Sequence, residues 1–211
     1  MTDDFKIEFI QFAIENEALK FGSFKLKSGR ISPYFFDAGR LVNTGAKLSK
    51  MGEFYAKAMT DLDFDMLYGP AYKGIPLVAA ASIFMSKMYN KDVPIVFNRK
   101  EVKDHGEGGV MIGTAPFGKV VIIDDVITAG TAIRESMNLI NNAQITGVVV
   151  CLDRQERGNG VKSSIKELQE EFGIQVTSIV CLDDILAFVH SSPEFSKFSD
   201  AIASYKLQYG A

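Results

Sequence analysis

The sequence predicts an α/β domain in which a mostly parallel sheet has helices on both faces and a small N-terminal β-hairpin beside it. The chain has 211 residues, enough for one well-buried domain and too few for two full ones, so residues 1–211 are expected to form a single domain. Strand-like and helix-like patterns alternate from about residue 46 to residue 180, as a parallel sheet requires. The unbroken β-branched run Val120–Ile123 suits a central strand buried on both faces.

The N-terminal part predicts a helix followed by a hairpin. Apolar residues at helical spacing indicate an amphipathic helix over about 5–21. The Ser-Gly pair within Lys27–Arg30 predicts a hairpin turn, and Pro33 limits the second arm to an edge position. We expect this hairpin, about residues 22–40, to form a small hood on the domain.

The remaining elements alternate, and their predicted bounds carry an error of a few residues. They are a helix over 46–62, strand 66–68, helix 75–88, strand 94–97, strand 120–123, helix 131–141, strand 147–151, helix 163–172, strand 176–180 and two short helices within 184–205. In an open parallel sheet, ligands bind at the carboxyl ends of the strands. The turns that follow these strand ends should therefore lie side by side at the site.

Composition excludes several classes of protein. The chain has 47% hydrophobic and 23% charged residues and a net charge of −3, which is ordinary for a soluble globular protein. Without a basic excess we expect no nucleic-acid partner. The sequence contains no run of membrane-spanning length and no signal region, so a cytoplasmic protein without a membrane partner is expected. Cys151 and Cys181 lie in apolar runs without nearby His or Cys, which indicates buried thiols.

The segment Val120–Arg134 joins a buried strand, two carboxylates, a run of small residues and a helix start. Backbone N–H groups of Thr128–Thr131 can surround a phosphate, and the helix adds its positive dipole end. Asp124 and Asp125 would repel that phosphate, so they should face donors such as ribose hydroxyls. One such aspartate alone could equally be a helix N-cap. The doublet before Thr-x-Gly-Thr favours the sugar site, and the P-loop and dinucleotide glycine patterns are absent.

A second strand-to-helix turn, Leu67–Pro76, has glycine at both ends of Gly69–Gly74, which lets its backbone approach a pyrophosphate. Lys73 supplies a cation there, and Tyr72 supplies an aromatic wall. The alternative is a tight turn whose glycines serve geometry alone.

The segment Phe97–Gly109 contains Arg99, Lys100, Lys103 and His105 and ends in glycines. It predicts a mobile basic lid over about 98–110, with a solvated charged loop as the alternative. The lid is favoured by chemistry, because cations that arrive only on closure can stabilise negative charge that develops in a transition state.

Two further features could bind a planar, anionic base. In the hairpin, Lys27 could neutralise an anion, while Phe35 and Phe36 offer flat surfaces, although a hairpin packed on the core would use the same aromatics. After the strand that ends at Cys151, Arg154 could hold a carboxylate through two bonds. A surface ion pair of this arginine with Asp153 or Glu156 is the alternative.

Ile122–Thr131 resembles the phosphoribosyl pyrophosphate (PRPP) motif of type I phosphoribosyltransferases. In that family the acidic pair holds the ribose 2′ and 3′ hydroxyls, and the turn holds the 5-phosphate. The resemblance implies the family's fold, a parallel sheet with helices on both faces and a hood. The PRPP-binding residues that it implies are Lys27, Tyr72, Lys73, Arg99, Lys100, Lys103, His105, Asp124, Asp125, Val126, Ile127, Thr128, Ala129, Gly130, Thr131 and Ala132.

The hairpin sequence Leu26–Phe36, the turn at 69–74 and the basic lid are similar to those of the orotate phosphoribosyltransferases, and the resemblance covers nearly the whole chain. It implies transfer of the phosphoribosyl group from PRPP to orotate, giving orotidine 5′-monophosphate and diphosphate. The implied orotate-binding residues are Lys27, Phe35, Phe36, Thr128 and Arg154, and the implied catalytic residues are Lys73, Lys103, His105 and Asp125.

The resemblance also implies a cofactor and a partner. Mg²⁺ would be carried mainly by PRPP and diphosphate, without dedicated protein ligands. The lid of one subunit would reach into the site of its neighbour, which implies a homodimer. Two alternatives remain, a phosphoribosyltransferase for a purine or another base and a PRPP-sensing regulator that binds RNA. The intact basic lid and the near-neutral charge speak against the regulator.

Overall fold

The computed structural model describes residues 3–26, 28–103, 109–158 and 160–211, with Val102 and Lys103 described by their backbone alone. Helices and strands alternate as predicted. In chain order they are α1 (Asp3–Glu15), β1 (Leu19–Lys25), β2 (Ile31–Phe36), a 3-10 turn (Ala38–Leu41), α2 (Gly45–Ala58), β3 (Met66–Gly69), α3 (Gly74–Tyr89), β4 (Ile95–Lys103), β5 (Gly109–Gly113), β6 (Lys119–Ile123), α4 (Thr131–Leu139), β7 (Gln144–Asp153), α5 (Ser164–Phe172), β8 (Gln175–Cys181), α6 (Leu182–Ser191), a second 3-10 turn (Ser196–Phe198) and α7 (Ser199–Tyr209).

The described strands form a central sheet in the order β5-β4-β3-β6-β7-β8 and a separate antiparallel hairpin of β1 and β2. All neighbours in the central sheet pair in parallel except β4 and β5. The predicted fold class is therefore confirmed, including the hairpin hood. From β3 the chain continues to β4 on one side, and from β6 it continues to β7 on the other. The carboxyl ends of β3 and β6 thus form a topological switch point, where open α/β sheets bind ligands.

Apolar side chains cover both faces of the sheet. On one face, Val121 packs in a core with Phe54 of α2 and Leu77 of α3. On the other face, Ile122 packs in a second core with Ile133 of α4 and further residues of α5. Because successive residues of β6 enter different cores, the strand must be apolar along its whole length. Among the described residues, no helix combines the length and the apolar character needed to cross a membrane.

The first helix is shorter than predicted. It ends at Glu15, and the predicted last turn over 16–21 is wrong, since β1 begins at Leu19. Glu17 adopts φ +54°, a left-handed conformation that ends a helix. Leu19 is buried in the core from the strand, so its place in the apolar pattern fitted either element.

The segment predicted as a lid is partly strand. β4 continues to Lys103, and β5, which the sequence pattern did not predict, returns antiparallel to it. Gly113 has φ +102°, and a Cβ there would lie 2.4 Å from the carbonyl oxygen of Ile95, so the close pairing of the two strands requires glycine. Residues 104–108 lie outside the described part of the chain. The basic lid over about 98–110 therefore stays a prediction.

Candidate active site

Asp124 and Asp125 lie at the switch point directly after β6, and both are buried, with relative exposures of 8% and 7%. The Asp125 N–H donates to Asp124 Oδ1 at 2.9 Å, and the Asp124 N–H donates to the Val149 carbonyl at 3.1 Å. The buried Tyr55 hydroxyl donates to the Asp124 carbonyl at 2.6 Å. The backbone and the core therefore fix the position of the acid pair.

The acid pair shares its site with one cation. Burial raises the pKa of Asp124 to about 7, and the adjacent charge of Asp125 adds to this effect. Lys73 Nζ donates to Asp125 Oδ2 at 2.6 Å. Burial alone would lower the pKa of Lys73, but the hydrogen bond and charge of Asp125 outweigh it, and the pKa is raised. The described part of the site thus contains the Lys73–Asp125 ion pair and a carboxyl group, Asp124, whose pKa lies well above its usual range.

The turn after the acid pair encloses a cavity of about 240 Å³. Its lining residues are Asp124, Val126, Ile127, Thr128, Gly130, Thr131, Ala132 and Ile133. The N-cap residue of α4 is Gly130, which provides no side-chain cap, so the first-turn N–H groups of this helix are available to an anion. The cavity therefore combines the Asp124 carboxylate with the backbone donors of the α4 N-terminus.

Gly130 and Arg134 shape this phosphate turn. Gly130 has φ +73°, and a Cβ there would lie 2.9 Å from Arg134 Nη1. Arg134 Nη1 donates to the Ala129 carbonyl at 2.8 Å, and its Nε and Nη2 donate to Glu171 at 3.0 and 2.7 Å. The arginine thus binds one carbonyl oxygen of the turn and ties the turn to Glu171 of α5.

The turn between β3 and α3, residues 69–74, lies beside the acid pair because β3 and β6 are neighbours. A Cβ on Gly69 would lie 2.4 Å from the Gly74 carbonyl oxygen, and a Cβ on Gly74 would lie 2.8 Å from the Ile123 carbonyl oxygen. Both glycines are needed for packing, so the alternative that they serve only the geometry of a tight turn accounts for their presence. The Ala71–Tyr72 peptide bond is cis.

Asn98 of β4 supports this turn and was not among the predicted site residues. Its Oδ1 accepts hydrogen bonds from the Tyr68 hydroxyl at 2.9 Å and the Ala71 N–H at 2.8 Å. β4 also contacts this turn through Lys100, whose Nζ lies 5.3 Å from the centroid of the exposed Tyr72 ring. The only sequence signal for Asn98 is a polar residue after the apolar run of its strand.

Arg154 lies beyond β7, two positions after Leu152, which pairs with Val126 of the phosphate turn. Its Nε and Nη2 lie 2.8 and 2.6 Å from Glu156 Oε1. The predicted alternative, an ion pair with Glu156, is therefore present. It is not a surface pair, because the two side chains are only 17% and 12% exposed.

The hood packs against Arg154. Arg154 Nη2 donates to Ser32 Oγ at 3.4 Å, and the guanidinium carbon lies 4.4 Å from the centroid of the Tyr34 ring. Phe35 and Phe36 face opposite sides of β2, as alternate strand residues do. Phe36 packs on the core near Phe9, as the packing alternative predicted, whereas Phe35 is 40% exposed.

The chain is similar in sequence and in fold to known phosphoribosyltransferases. A family model described as phosphoribosyl transferase domain matches residues 41–184. The chain is 51% identical to the orotate phosphoribosyltransferase of Pasteurella multocida (strain Pm70) over 210 residues, 98% of each chain. The chain belongs to the orotate phosphoribosyltransferase family.

Solved structures agree with this family assignment. The crystal structure of orotate phosphoribosyltransferase from Francisella tularensis is 44% identical, covers 97% of this chain and 100% of that chain, and superposes with a TM-score of 0.87. The Mycobacterium tuberculosis H37Rv enzyme in complex with PRPP shares the fold, with 16% identity, a TM-score of 0.60 and coverage of 86% of this chain and 98% of that chain. The predicted family, fold and enzyme class, a phosphoribosyltransferase, are thereby confirmed.

The structure of this family member brings together the two strand-end turns that contain the acid pair, Lys73 and Thr128, as predicted. Lys27 and His105 lie outside the described residues, and Lys103 is placed by its backbone, opposite Gly109. Their binding and catalytic roles stay predictions. Arg99 has a buried Nη1 without a hydrogen-bond partner among the described residues.

Proposed function

We propose that this enzyme transfers the 5-phosphoribosyl group of PRPP to orotate, releasing diphosphate and orotidine 5′-monophosphate. The observation that carries the proposal is the buried pair Asp124 and Asp125 beside the uncapped N-terminus of α4. This arrangement suits a phosphorylated pentose, because it offers acceptors for hydroxyls next to donors for a phosphate. Arg154 and the hood then supply a neighbouring site for a carboxylated base. Family membership supports this reaction, which belongs to pyrimidine biosynthesis.

The residues divide the work by charge. The acid pair accepts hydrogen bonds from the ribose hydroxyls, and the N–H groups of 128–131 hold the 5-phosphate. Lys73 is exposed enough to contact both Asp125 and the diphosphate. Because orotate already carries a delocalised anion, no strong base is needed, and the enzyme acts by positioning and by stabilising an oxocarbenium-like transition state. The lid cations Arg99, Lys100 and Lys103, together with His105, bind the leaving diphosphate.

Thr128 and Phe35 complete the proposed base site with Arg154. Thr128 lines the cavity and lies on the chain between the acid pair and α4. The exposed Phe35 ring is available to a planar base, whereas Phe36 would shape the site from the core. Lys27, which lies outside the described residues, is proposed to contact both substrates.

Mg²⁺ is the proposed cofactor. Carboxylate oxygens suit this hard ion, and Asp124 contributes one carboxylate to the lining of the cavity. Among the described residues, however, no cluster of three or more His, Cys, Asp or Glu could hold a metal. This donor set fits an ion carried by PRPP. When bound, Mg²⁺ neutralises diphosphate charge and makes it a better leaving group.

A diphosphate-release assay tests the substrate assignment. With PRPP and Mg²⁺ present, we expect release with orotate and none above background with uracil, hypoxanthine or adenine. Release with a purine instead would make the protein a phosphoribosyltransferase for another base. RNA binding without turnover of any of the four bases would favour the regulator. Either result would overturn the proposal.

Arg154→Ala should weaken orotate binding by about 10- to 100-fold, because a bond to a charged partner contributes roughly 1.5–3 kcal/mol. PRPP affinity should change little, since the acid pair and the phosphate turn remain intact. Calorimetric titration with each substrate measures both effects. An unchanged orotate dissociation constant would reject Arg154 as a binding residue.

PRPP binding should depend on pH through Asp124. At pH 6, one unit below its pKa of about 7, roughly a tenth of this carboxyl is ionised, so binding should be about tenfold weaker than at pH 8. The raised pKa also means that ionisation opposes folding, so the unliganded enzyme should lose stability as pH rises from about 4 through 7. Asp124→Asn should flatten the part of both profiles that does not come from PRPP itself. Identical profiles for the variant and the parent would contradict this role.

We also propose a homodimer that shares its sites and works in the cytoplasm, with small molecules rather than nucleic acid or membrane as partners. The free Cys151 and Cys181, buried and half-buried, fit a reducing compartment. Mixing inactive Lys103→Ala and Asp125→Asn subunits tests the shared site. If the lid crosses between subunits, one of the two sites in each mixed dimer regains both parent residues. Because random exchange makes about half of the dimers mixed, about a quarter of the parent activity should return. If no activity returns after subunit exchange is verified, the lid does not cross.

A further inference from the structure

The guanidinium of Arg154 is held through two of its three nitrogens. Nε donates to Glu156 Oε1 at 2.8 Å, and Nη2 lies 2.6 Å from the same oxygen in an ion pair and donates to Ser32 Oγ. Nη1 has no hydrogen-bond partner in the described part of the chain, and it is not one of the buried unpaired atoms there. The group is thus fixed in its plane over Tyr34 with one donor nitrogen left open.

Glu156 is itself restrained from several sides. It accepts a hydrogen bond from the Tyr34 hydroxyl at 3.2 Å, and its Oε2 lies 3.6 Å from Arg30 Nη1. Arg30 Nη1 also donates to the Arg157 carbonyl at 3.0 Å. Glu156 therefore joins the hood, through Arg30 and Tyr34, to the segment that contains Arg154.

Residues 209–211, which we name the strap, bind the backbone on both sides of Glu156. The Arg157 N–H donates to the Tyr209 carbonyl at 2.8 Å, and the Ala211 N–H donates to the Gln155 carbonyl at 3.0 Å. The strap also reaches the hood, because the Arg30 guanidinium lies 4.8 Å from the centroid of the Tyr209 ring. Backbone pairing therefore fixes where Glu156 can place its carboxylate.

We infer that Glu156 is a positioning residue for orotate, that it orients Arg154 so that Nη1 meets the substrate carboxylate, and that the strap keeps Glu156 in place. This inference rests on the proposed role of Arg154. A simple electrostatic view predicts the opposite effect, because Glu156 is an anion near an anionic substrate and should repel it. The geometry favours positioning, since Glu156 contacts Nε and Nη2 and leaves Nη1 open, and a buried guanidinium without its charge partner is strongly disfavoured in this position.

Glu156→Gln and Glu156→Ala separate these two views. Under positioning, Glu156→Ala should raise the orotate KM by about tenfold or more, with kcat at saturating orotate and the PRPP KM nearly unchanged. Glu156→Gln retains one acceptor oxygen and should show a smaller rise. Glu53→Gln is the matched control, because Glu53 also lies in a partly buried ion pair, with Lys57 at 2.6 Å, but on α2 away from the hood.

Tyr209→Ala supplies a second variant if Glu156→Ala folds poorly, since it removes only the ring beside Arg30, the cation that faces Glu156 Oε2, and leaves the Glu156 carboxylate in place. It should raise the orotate KM by roughly threefold without changing the PRPP KM. An unchanged or lower orotate KM in both Glu156→Gln and Tyr209→Ala would overturn the inference. If Arg154→Ala weakens orotate binding in the same assay, the unchanged KM of those two variants overturns only the positioning role of Glu156. If Arg154→Ala has no effect, the proposed role of Arg154 itself is overturned.

Discussion

Lys103→Ala is expected to lower kcat by about 10²- to 10³-fold while the orotate dissociation constant changes by less than about threefold. The reason is timing. Diphosphate gains negative charge as the glycosidic bond breaks, and a cation that arrives on lid closure stabilises that state more than it stabilises bound substrate. Lys103 is the last residue of β4 and pairs with Gly109 of β5, so it directly precedes residues 104–108 of the predicted lid.

Single-turnover kinetics and orotate titration together measure this prediction, because they separate chemistry from binding. Lys87→Ala is the matched control. Lys87 lies in the last turn of α3 beside the Phe84 ring, so its removal deletes the same charge away from the lid. Equal losses of turnover and orotate affinity in Lys103→Ala would contradict a role at the leaving group.

The arrangement of the acid pair and the phosphate turn could be predicted because their residues are consecutive in the sequence. Asp124, Asp125 and the small residues of the turn follow one buried strand directly, so strand, acid pair and helix start are read from a single segment. The Lys73 turn was placed beside them because parallel strands present their carboxyl ends at one edge. The contact of Lys73 Nζ with Asp125 at 2.6 Å agrees with that placement.

Contacts between distant segments could not be predicted in this way. Glu156 and Tyr34 are far apart in the chain, and whether Glu156 supports Arg154 or merely neutralises it depends on how the hood docks. Asn98 has the same difficulty, since its partner Ala71 belongs to another strand-end turn. A polar side chain shows no periodic pattern, so its function becomes visible only after the fold brings its partners together.

Two elements were misjudged because short apolar patterns fit more than one structure. Leu19 continues the apolar stripe of α1, yet Glu17 at φ +54° ends that helix and places Leu19 in a strand. β5 is short and only partly buried, and it borders a glycine-rich segment. Its pairing with β4 supplies the backbone hydrogen bonds that its composition does not indicate.

Asp125→Asn is expected to lower kcat/KM for PRPP by about 10³-fold, because it removes the charged acceptor for a ribose hydroxyl and the partner of Lys73 in one nearly isosteric change. Stability should respond differently. At pH 8 the two buried carboxylates repel each other, so Asp125→Asn removes a destabilising contact. The lost ion pair contributes little, since Lys73 is largely exposed. The free energy of unfolding should therefore stay within about 1 kcal/mol of the parent value or rise.

This divergence between activity and stability distinguishes a binding site from a structural ion pair. Denaturant unfolding at pH 8 and PRPP titration with Mg²⁺ measure the two quantities on the same preparation. Asp63→Asn is the matched control, because Asp63 forms an ion pair with Lys119 at the amino end of β6, away from the switch point, and should affect neither PRPP binding nor turnover. If Asp125→Asn destabilised the fold and bound PRPP as the parent does, the acid pair would be structural. The ribose site would then have to be sought elsewhere along the strand ends.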